Sequence, residues 1–246
     1  MNLFGKRYYM KYNLAFYTYF IGTDSNPAFM IPPLSSKSYP CYFFTNNHTI
    51  LNELKNTKWI SVFINKQTDD DVIESNMIGK HVKVLPHEFE ELKNYDYLCY
   101  FDTKLLKVNI KFIELCINKY FIHDNQALLL RKNQWNKDTG CLKNELKRAF
   151  KQPRYQLQKK QYQSYIQNQV NKGLLIKHPP GFQCNFLIRN MTHPKMKDFN
   201  KTWYEHIQQC GIQDQIPFHF VKQLFPGIIF PLKCKWEKLT PKYFDK

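Results

Sequence analysis

The sequence predicts an α/β fold in which a mostly parallel central sheet is flanked by helices. Short apolar and aromatic segments of strand length alternate with amphipathic segments of helical period through most of the chain, which is typical of a parallel sheet. The 246 residues suit one domain, and 43% hydrophobic and 16% aromatic residues favour a packed core over disorder.

The first half of the chain contains three predicted strands. Residues 13–20 are aromatic and β-prone and are followed by a turn at 22–24. Residues 27–40 contain four prolines, which predicts an irregular loop. Residues 42–45 and 59–64 give the next two strands, and Pro86 opens a short helix at its first turn.

The central strand is predicted at 97–101, where five apolar or aromatic residues end at a carboxylate, Asp102. Such a run is typical of a strand that is buried on both faces. In open α/β sheets, ligands bind beyond the carboxyl ends of strands, so Asp102 is expected at the mouth of a site. The alternative is that Asp102 only caps the following turn.

The second half of the chain continues the alternation of helices and strands. A helix with an apolar stripe is predicted over 108–121 and a strand at 127–130. A basic helical region follows over 141–172, interrupted near Pro153, and then a strand at 182–188. A helix opens at Pro194 and ends at Gly211, and a last helix begins at Asp214. Residues 1–226 are therefore expected to form one domain, and 227–246 an irregular basic tail.

The charge balance favours an anionic ligand. The chain has 36 basic and 20 acidic residues, a formal charge of +16, which suits nucleic acid, anionic membrane or phosphorylated ligands without choosing among them. Six cations cluster at one place, which indicates either a polyanion patch or a solvated helix face: Lys147, Arg148, Lys151, Arg154, Lys159 and Lys160.

The cysteines and the hydropathy indicate a protein of the cytoplasm. The seven cysteines form no CxxC pair, which argues against a zinc site and for reduced thiols. No apolar run reaches the roughly 18 residues that a membrane span needs, so no transmembrane segment is expected.

Several sequence blocks, taken in their order along the chain, resemble a known family. The more specific blocks are Lys80 to His87, Tyr95 to Asp102, and Trp203 to Phe218; weaker ones lie at 17–18, 44–46 and 183–189. The series resembles a glycosyltransferase-like family of plants, bacteria and large viruses that is related to GT-A nucleotide-sugar transferases. The resemblance spans residues 13–226.

This resemblance implies a single GT-A-like domain that takes a nucleotide-sugar donor and a glycan, glycoprotein or other hydroxyl acceptor, with no specific nucleic-acid partner. The chain departs from the family pattern at three places, the first of which is Lys80, where the pattern usually has arginine. Asn46 stands where the pattern has an acid, and Thr103-Lys104 follow Asp102 where the pattern has Gly and then Asn, Ser or Asp.

The chemistry of glycosyl transfer gives the conspicuous charged residues roles. Asp102 is expected to hold Mn²⁺ or Mg²⁺ against the donor phosphates, with help from Lys80 and Lys83. Lys104 offers a rival arrangement in which its ammonium contacts the diphosphate in place of the metal. The family resemblance implies that Asp214 binds or deprotonates the acceptor, unless it is only a helix N-cap.

Five further residues complete the predicted site. Tyr17, Thr18 and Asn46 are expected to bind the nucleoside, with Tyr17 stacking on the base or lying in the core. Arg189, at the exit of its strand, and Gln215 are expected to bind the acceptor; alternatively, Arg189 pairs with phosphate or with a surface acid.

Three functions remain open at this point. The first is a nucleotide-sugar-dependent glycosyltransferase. The second is a basic nucleic-acid-binding protein, which the charge favours although no nucleic-acid motif occurs. The third is a GT-A scaffold that has lost catalysis and serves as a binding module, which Thr103-Lys104 would explain.

Overall fold

A computed structural model describes residues 12–23, 29, 31–33, 36–69, 71–103, 109–133 and 142–232. Seven strands lie in these segments: β1 (Leu14–Phe20), β2 (Cys41–Thr45), β3 (Ile60–Phe63), β4 (Tyr97–Phe101), β5 (Leu128–Lys132), β6 (Phe182–Asn190) and β7 (Ile229–Leu232). They form one sheet in the order β3-β2-β1-β4-β6-β5-β7.

Most of the strand pairs are parallel, as the alternation of strands and helices predicts. β3, β2, β1 and β4 run in one direction, and β5 pairs in parallel with β7. β6 is the exception, because it runs antiparallel to both β4 and β5. The amino end of β6 therefore lies at the same edge of the sheet as the carboxyl end of β4, where the Asp102 amide donates to the Asn185 carbonyl at 2.9 Å.

Helices cover both faces of the sheet. In the described segments they are α1 (His48–Leu54), α2 (Val72–Val84), α3 (Ile110–Cys116), α4 (Leu142–Ala149), α5 (Pro153–Gln156), α6 (Lys159–Asn171), α7 (Met196–Cys210) and α8 (Gln215–Leu224). Apolar residues of α2, α7 and α8 pack on one face, and those of α1 and α3 on the other. α4, α5 and α6 form an outer layer against α7 and α8.

Side-chain oxygens at several helix starts explain where those helices begin. Asn47 accepts from the amide of Ile50 at the start of α1. Asp71 accepts from the amides of Ile73 and Glu74 at the start of α2. These bonds satisfy amides that have no partner within the helix.

The structure confirms the predicted fold class, and β4 coincides with the predicted central strand. The prediction of an irregular tail after 226 is wrong over Ile229–Leu232, which pairs with β5 as an edge strand. The helix predicted over 108–121 is α-helical only to Cys116 and continues as a π-helix over Ile117–His123. Within the described residues, no helix combines the length and apolarity that crossing a bilayer requires.

Candidate active site

A cavity of about 1340 Å³ opens at the edge of the sheet where β1 and β4 end and β6 begins. Its other walls come from α2, from α4 and α5, and from the segment that leads into α8. Ligand pockets commonly lie at this edge of an α/β sheet. The described lining residues include five cationic side chains and three carboxylates, so the cavity carries an excess of positive charge. The cations are Lys80, Lys83, Arg131, Arg148 and Arg154, and the acids are Asp102, Glu145 and Asp214.

A buried cluster of three charged side chains lies in the wall of this cavity. The carboxylate of Asp214 accepts from Lys83 Nζ at 2.6 Å and from Lys80 Nζ at 3.0 Å. Asp214 stands at the N-cap of α8 but makes no capping bond with its side chain, so the alternative of a simple N-cap does not describe it. Trp203 Nε1 donates to the Asp214 carbonyl at 3.1 Å and fixes the backbone at this point.

The cluster keeps all three of its groups charged. Burial alone would raise the pKa of Asp214, but the ammonium groups of Lys80 and Lys83 outweigh burial and lower it to about 2. Burial would lower the pKa of Lys80 and Lys83, yet the Asp214 carboxylate raises both. The two ammonium groups are therefore permanent positive charges in a site that is largely shielded from water.

Asp102 differs from Asp214 in being open to the cavity. Its side chain is 41% exposed and accepts from the Tyr100 hydroxyl at 2.6 Å. Lys83 Nζ lies 3.9 Å from its carboxylate and 4.9 Å from the centre of the Tyr100 ring. Lys83 thus lies between the two carboxylates and links the buried cluster to the exposed acid.

The close approach of α2 to β1 places both lysines. A Cβ atom at Gly79 would lie 2.1 Å from the ring of Tyr19, so a larger residue cannot occupy this position unless the helix or the ring moves. Because Lys80 follows directly and Lys83 lies one turn on, the contact at Gly79 sets the depth at which both ammonium groups sit.

A second network holds the end of α2 from behind. Arg189 donates to the Lys83 carbonyl at 2.9 Å, to the Tyr17 hydroxyl at 2.7 Å and to Asn200 at 3.2 Å. The Tyr17 hydroxyl also donates to the Lys83 carbonyl, at 2.8 Å. Arg189 and Tyr17 are both fully buried, so these bonds position Lys83 without facing the cavity.

The structure brings together five of the predicted site residues. Lys80, Lys83, Asp102, Asp214 and Gln215 all line the cavity. The side-chain nitrogen of Gln215 donates to the Phe182 carbonyl at 3.0 Å, so this bond does not engage the side-chain oxygen. The roles assigned to these residues from the sequence stay predictions.

Four predicted ligand-binding residues lie elsewhere. Tyr17 and Thr18 are fully buried, and the Thr18 hydroxyl donates to the Phe101 carbonyl at 2.7 Å, so neither contacts a nucleoside in the cavity. Arg189 lies near the opposite edge of the sheet, because β6 is antiparallel and Arg189 pairs with Leu98. Asn46 binds the Gly22 amide and the Lys66 carbonyl and does not line the cavity.

The predicted residue Lys104 lies outside the described residues.

The six-cation patch divides between two environments. Arg148 and Arg154 line the cavity, whereas the four lysines of the patch are exposed.

The sequence reasoning missed two parts of the cavity wall. Tyr19 lines the cavity two residues beyond Tyr17, on the same face of β1, and the period of a strand is the signal that could have found it. Glu145 and Gln152 also line the cavity, and Glu145 lies one helical turn before Arg148, which the sequence had placed in the basic patch. Arg148 pairs with Glu145.

The described residues do not fit a divalent ion. No group of three histidine, cysteine, aspartate or glutamate side chains among them lies close enough to hold a metal. Ca²⁺ and Mg²⁺ need several oxygen ligands, whereas Asp214 is engaged by two ammonium groups. An ion on Asp102 would lie beside Lys83, whose Nζ is 3.9 Å from that carboxylate, so the positive charges of the ion and the ammonium would repel each other.

Comparison with known proteins gives a likeness of fold. No family model matches the sequence, and no curated protein sequence matches it. The structure superposes on mouse xyloside xylosyltransferase 1 with a TM-score of 0.53 and 12% identity, covering 95% of this chain and 89% of that chain. The protein thus has the α/β architecture of a GT-A-type glycosyltransferase.

Two further structures are similar at lower scores. WbbM, a bifunctional glycosyltransferase, gives a TM-score of 0.47 with 11% identity over 89% of this chain and 38% of that chain. The mannosyltransferase Ktr4p from S. cerevisiae gives 0.44 with 11% identity over 86% of this chain and 66% of that chain. Scores below 0.5 add nothing to the assignment of the fold.

Proposed function

We propose that the protein is a glycosyltransferase that moves a sugar from a nucleotide-sugar donor to a hydroxyl group of a glycan or glycoprotein. The observation that carries this proposal is Lys83, whose buried ammonium lies between the carboxylates of Asp214 and Asp102 at the ligand-binding edge of the sheet. The likeness of fold to a xylosyltransferase supports the same class of reaction.

The lysines stabilise the nucleoside diphosphate as the leaving group. As the bond between sugar and phosphate breaks, negative charge grows on the leaving diphosphate. Fixed positive charges aimed at that position stabilise the transition state more than the ground state. Lys83 and Lys80 are held in place by Asp214, so little reorganisation accompanies the reaction.

Asp102 serves the acceptor. Its carboxylate is open to the cavity, and the Tyr100 hydroxyl orients it. In this position Asp102 accepts the proton of the acceptor hydroxyl as that oxygen attacks the sugar. Asp214 is a poor candidate for this step, because a pKa of about 2 makes it a weak base and two ammonium groups occupy it. Its role in the proposal is to position the lysines.

The nucleoside has a natural place against the end of β1. Tyr19 and Phe20 line the cavity there, and the Phe20 ring packs on Phe29 with centroids 4.1 Å apart. An aromatic surface of this kind suits the face of a nucleobase. These residues replace Tyr17 and Thr18 in the proposal, because those two side chains are buried.

A panel of nucleotides and nucleotide-sugars tests the proposal. Thermal unfolding is followed with UDP-, GDP- and CDP-sugars, and active donors are then tested for hydrolysis and for transfer to glycan acceptors. We expect one nucleotide class to raise the melting temperature and its sugar to be released or transferred. Salt-sensitive binding to random DNA or RNA with no response to any nucleotide would contradict the proposal.

A further inference from the structure

We infer that the cavity binds the donor diphosphate without a divalent ion, with the ammonium groups of Lys83 and Lys80 supplying the positive charge. This inference rests on the proposed function and concerns how the same site works. Two features of the described residues support it, the partners of the carboxylates and the fixed positions of the lysines, and the composition of the sequence after Asp102 supports it as well.

The carboxylates of the cavity already have cationic or hydroxyl partners. Asp214 accepts from both lysines, and Glu145 is engaged by Arg148 and accepts from Gln213 at 3.1 Å. Asp102 accepts from Tyr100 and has Lys83 Nζ at 3.9 Å. A divalent ion would have to displace one of these partners or bind beside an ammonium, and either change opposes binding.

The sequence after Asp102 contains added positive charge and no further carboxylate. Residues 103–108 read Thr-Lys-Leu-Leu-Lys-Val, which contains two lysines and no carboxylate. Thr103 lines the cavity. Hard divalent ions take their protein ligands chiefly from carboxylate and carbonyl oxygens, so this composition suits phosphate better than it suits a metal.

The two lysines are built to remain charged and in place. Their side chains are only 3% and 10% exposed for Lys83 and Lys80. Asp214 fixes both ammonium groups, and Arg189 with Tyr17 fixes the Lys83 carbonyl. A lysine ammonium is a compact point charge that serves phosphate well, and here its position is set before the ligand arrives.

Calorimetric titration of the full chain with UDP and GDP tests the inference. Each titration is run in EDTA and again with Mn²⁺ or Mg²⁺. We expect the preferred nucleoside diphosphate to bind with dissociation constants that agree within about twofold in the three buffers. Affinity that is at least tenfold weaker in EDTA would overturn the inference and leave the proposed function standing. Absence of binding in every buffer would overturn both.

Variants at Asp102 and Lys83 separate the two arrangements further. If the ion-free arrangement holds, Asp102→Asn binds the nucleoside diphosphate in EDTA as tightly as the natural protein, or severalfold more tightly, because one negative charge near the phosphates is gone. A tenfold loss of affinity in Asp102→Asn in the buffers that contain Mn²⁺ or Mg²⁺ would instead support a metal bridge and contradict the inference.

Lys83→Met is expected to lose at least tenfold in affinity in every buffer. The matched control is Lys93→Met, which removes an exposed lysine that pairs with Glu90 on the surface, and it should bind as the natural protein does. Circular dichroism and melting without nucleotide show whether each variant folds. The Asp102→Asn titration decides the question if Lys83→Met does not fold, and natural affinity in folded Lys83→Met would overturn the inference.

Discussion

Two carboxylates in one cavity have opposite surroundings. Asp214 has a side chain that is 6% exposed and is held by two ammonium groups, whereas that of Asp102 is 41% exposed. The same functional group is thereby divided between two tasks. The buried carboxylate organises positive charge, and the open one is available to a substrate.

The largest expected effect follows from Asp214→Asn, which leaves two buried ammonium groups without their carboxylate. Breaking a buried ion pair by removing one partner costs about 3–5 kcal/mol of unfolding free energy. Urea unfolding at neutral pH measures it. Glu90→Gln is the matched control, because it removes an exposed partner of Lys93 and should cost less than about 1 kcal/mol. Equal losses in the two variants would refute the distinction between buried and exposed pairs.

Asp102→Asn should produce the reverse pattern. We expect the rate of sugar transfer to fall by about 100-fold, since removal of a general base commonly costs 10²–10⁴. Unfolding free energy should change by less than about 1 kcal/mol, because this side chain is open to solvent. Transfer assays and urea unfolding on the same preparation measure both. Turnover at the natural rate would remove Asp102 from the mechanism.

The decrease of the unfolding free energy at low pH should include a contribution from the protonation of Asp214. Its pKa in the folded protein is about 2, against an ordinary 3.8. A lowered folded pKa means that the ion pairs stabilise the fold fully above about pH 4 and lose this contribution as the pH falls through about 2. The loss is about 2 kcal/mol. Unfolding free energies measured between about pH 4 and pH 2 should show this loss in Asp102→Asn, where Asp214 still titrates, and not in Asp214→Asn.

The smallest expected effect concerns Tyr100→Phe. The change removes the hydroxyl that donates to Asp102 at 2.6 Å and leaves the ring beside Lys83. A hydrogen bond to a charged group contributes about 1.5–3 kcal/mol when buried and less when exposed, so we expect a roughly fivefold loss of transfer rate with near-natural stability. A rate equal to that of Asp102→Asn would mean that the hydroxyl does more than orient the carboxylate.

The sequence allowed the fold class and one end of the site to be predicted. Alternating segments gave the sheet and its helices, and the apolar run over Tyr97–Phe101 located Asp102 at the edge where the cavity lies. Local pattern suffices here because burial on both faces leaves a continuous apolar run.

Other parts of the site depend on contacts that local pattern does not encode. The direction of β6 is invisible in its composition, and the prediction that Arg189 faces a ligand was wrong for that reason. The pairing of Lys80 with Asp214 joins residues 134 positions apart. β7 was missed because it has only four residues and contains Pro231. Proline argues against a strand in a sequence, although strands at the edge of a sheet, such as β7, tolerate it.

The tight contact at Gly79 has a consequence for recognising chains with a similar site. With the ring of Tyr19 occupying the space where a methyl group would stand, α2 settles deeply enough for its lysines to reach Asp214. A small residue immediately before the first of two lysines spaced three apart is therefore the local signature of this arrangement.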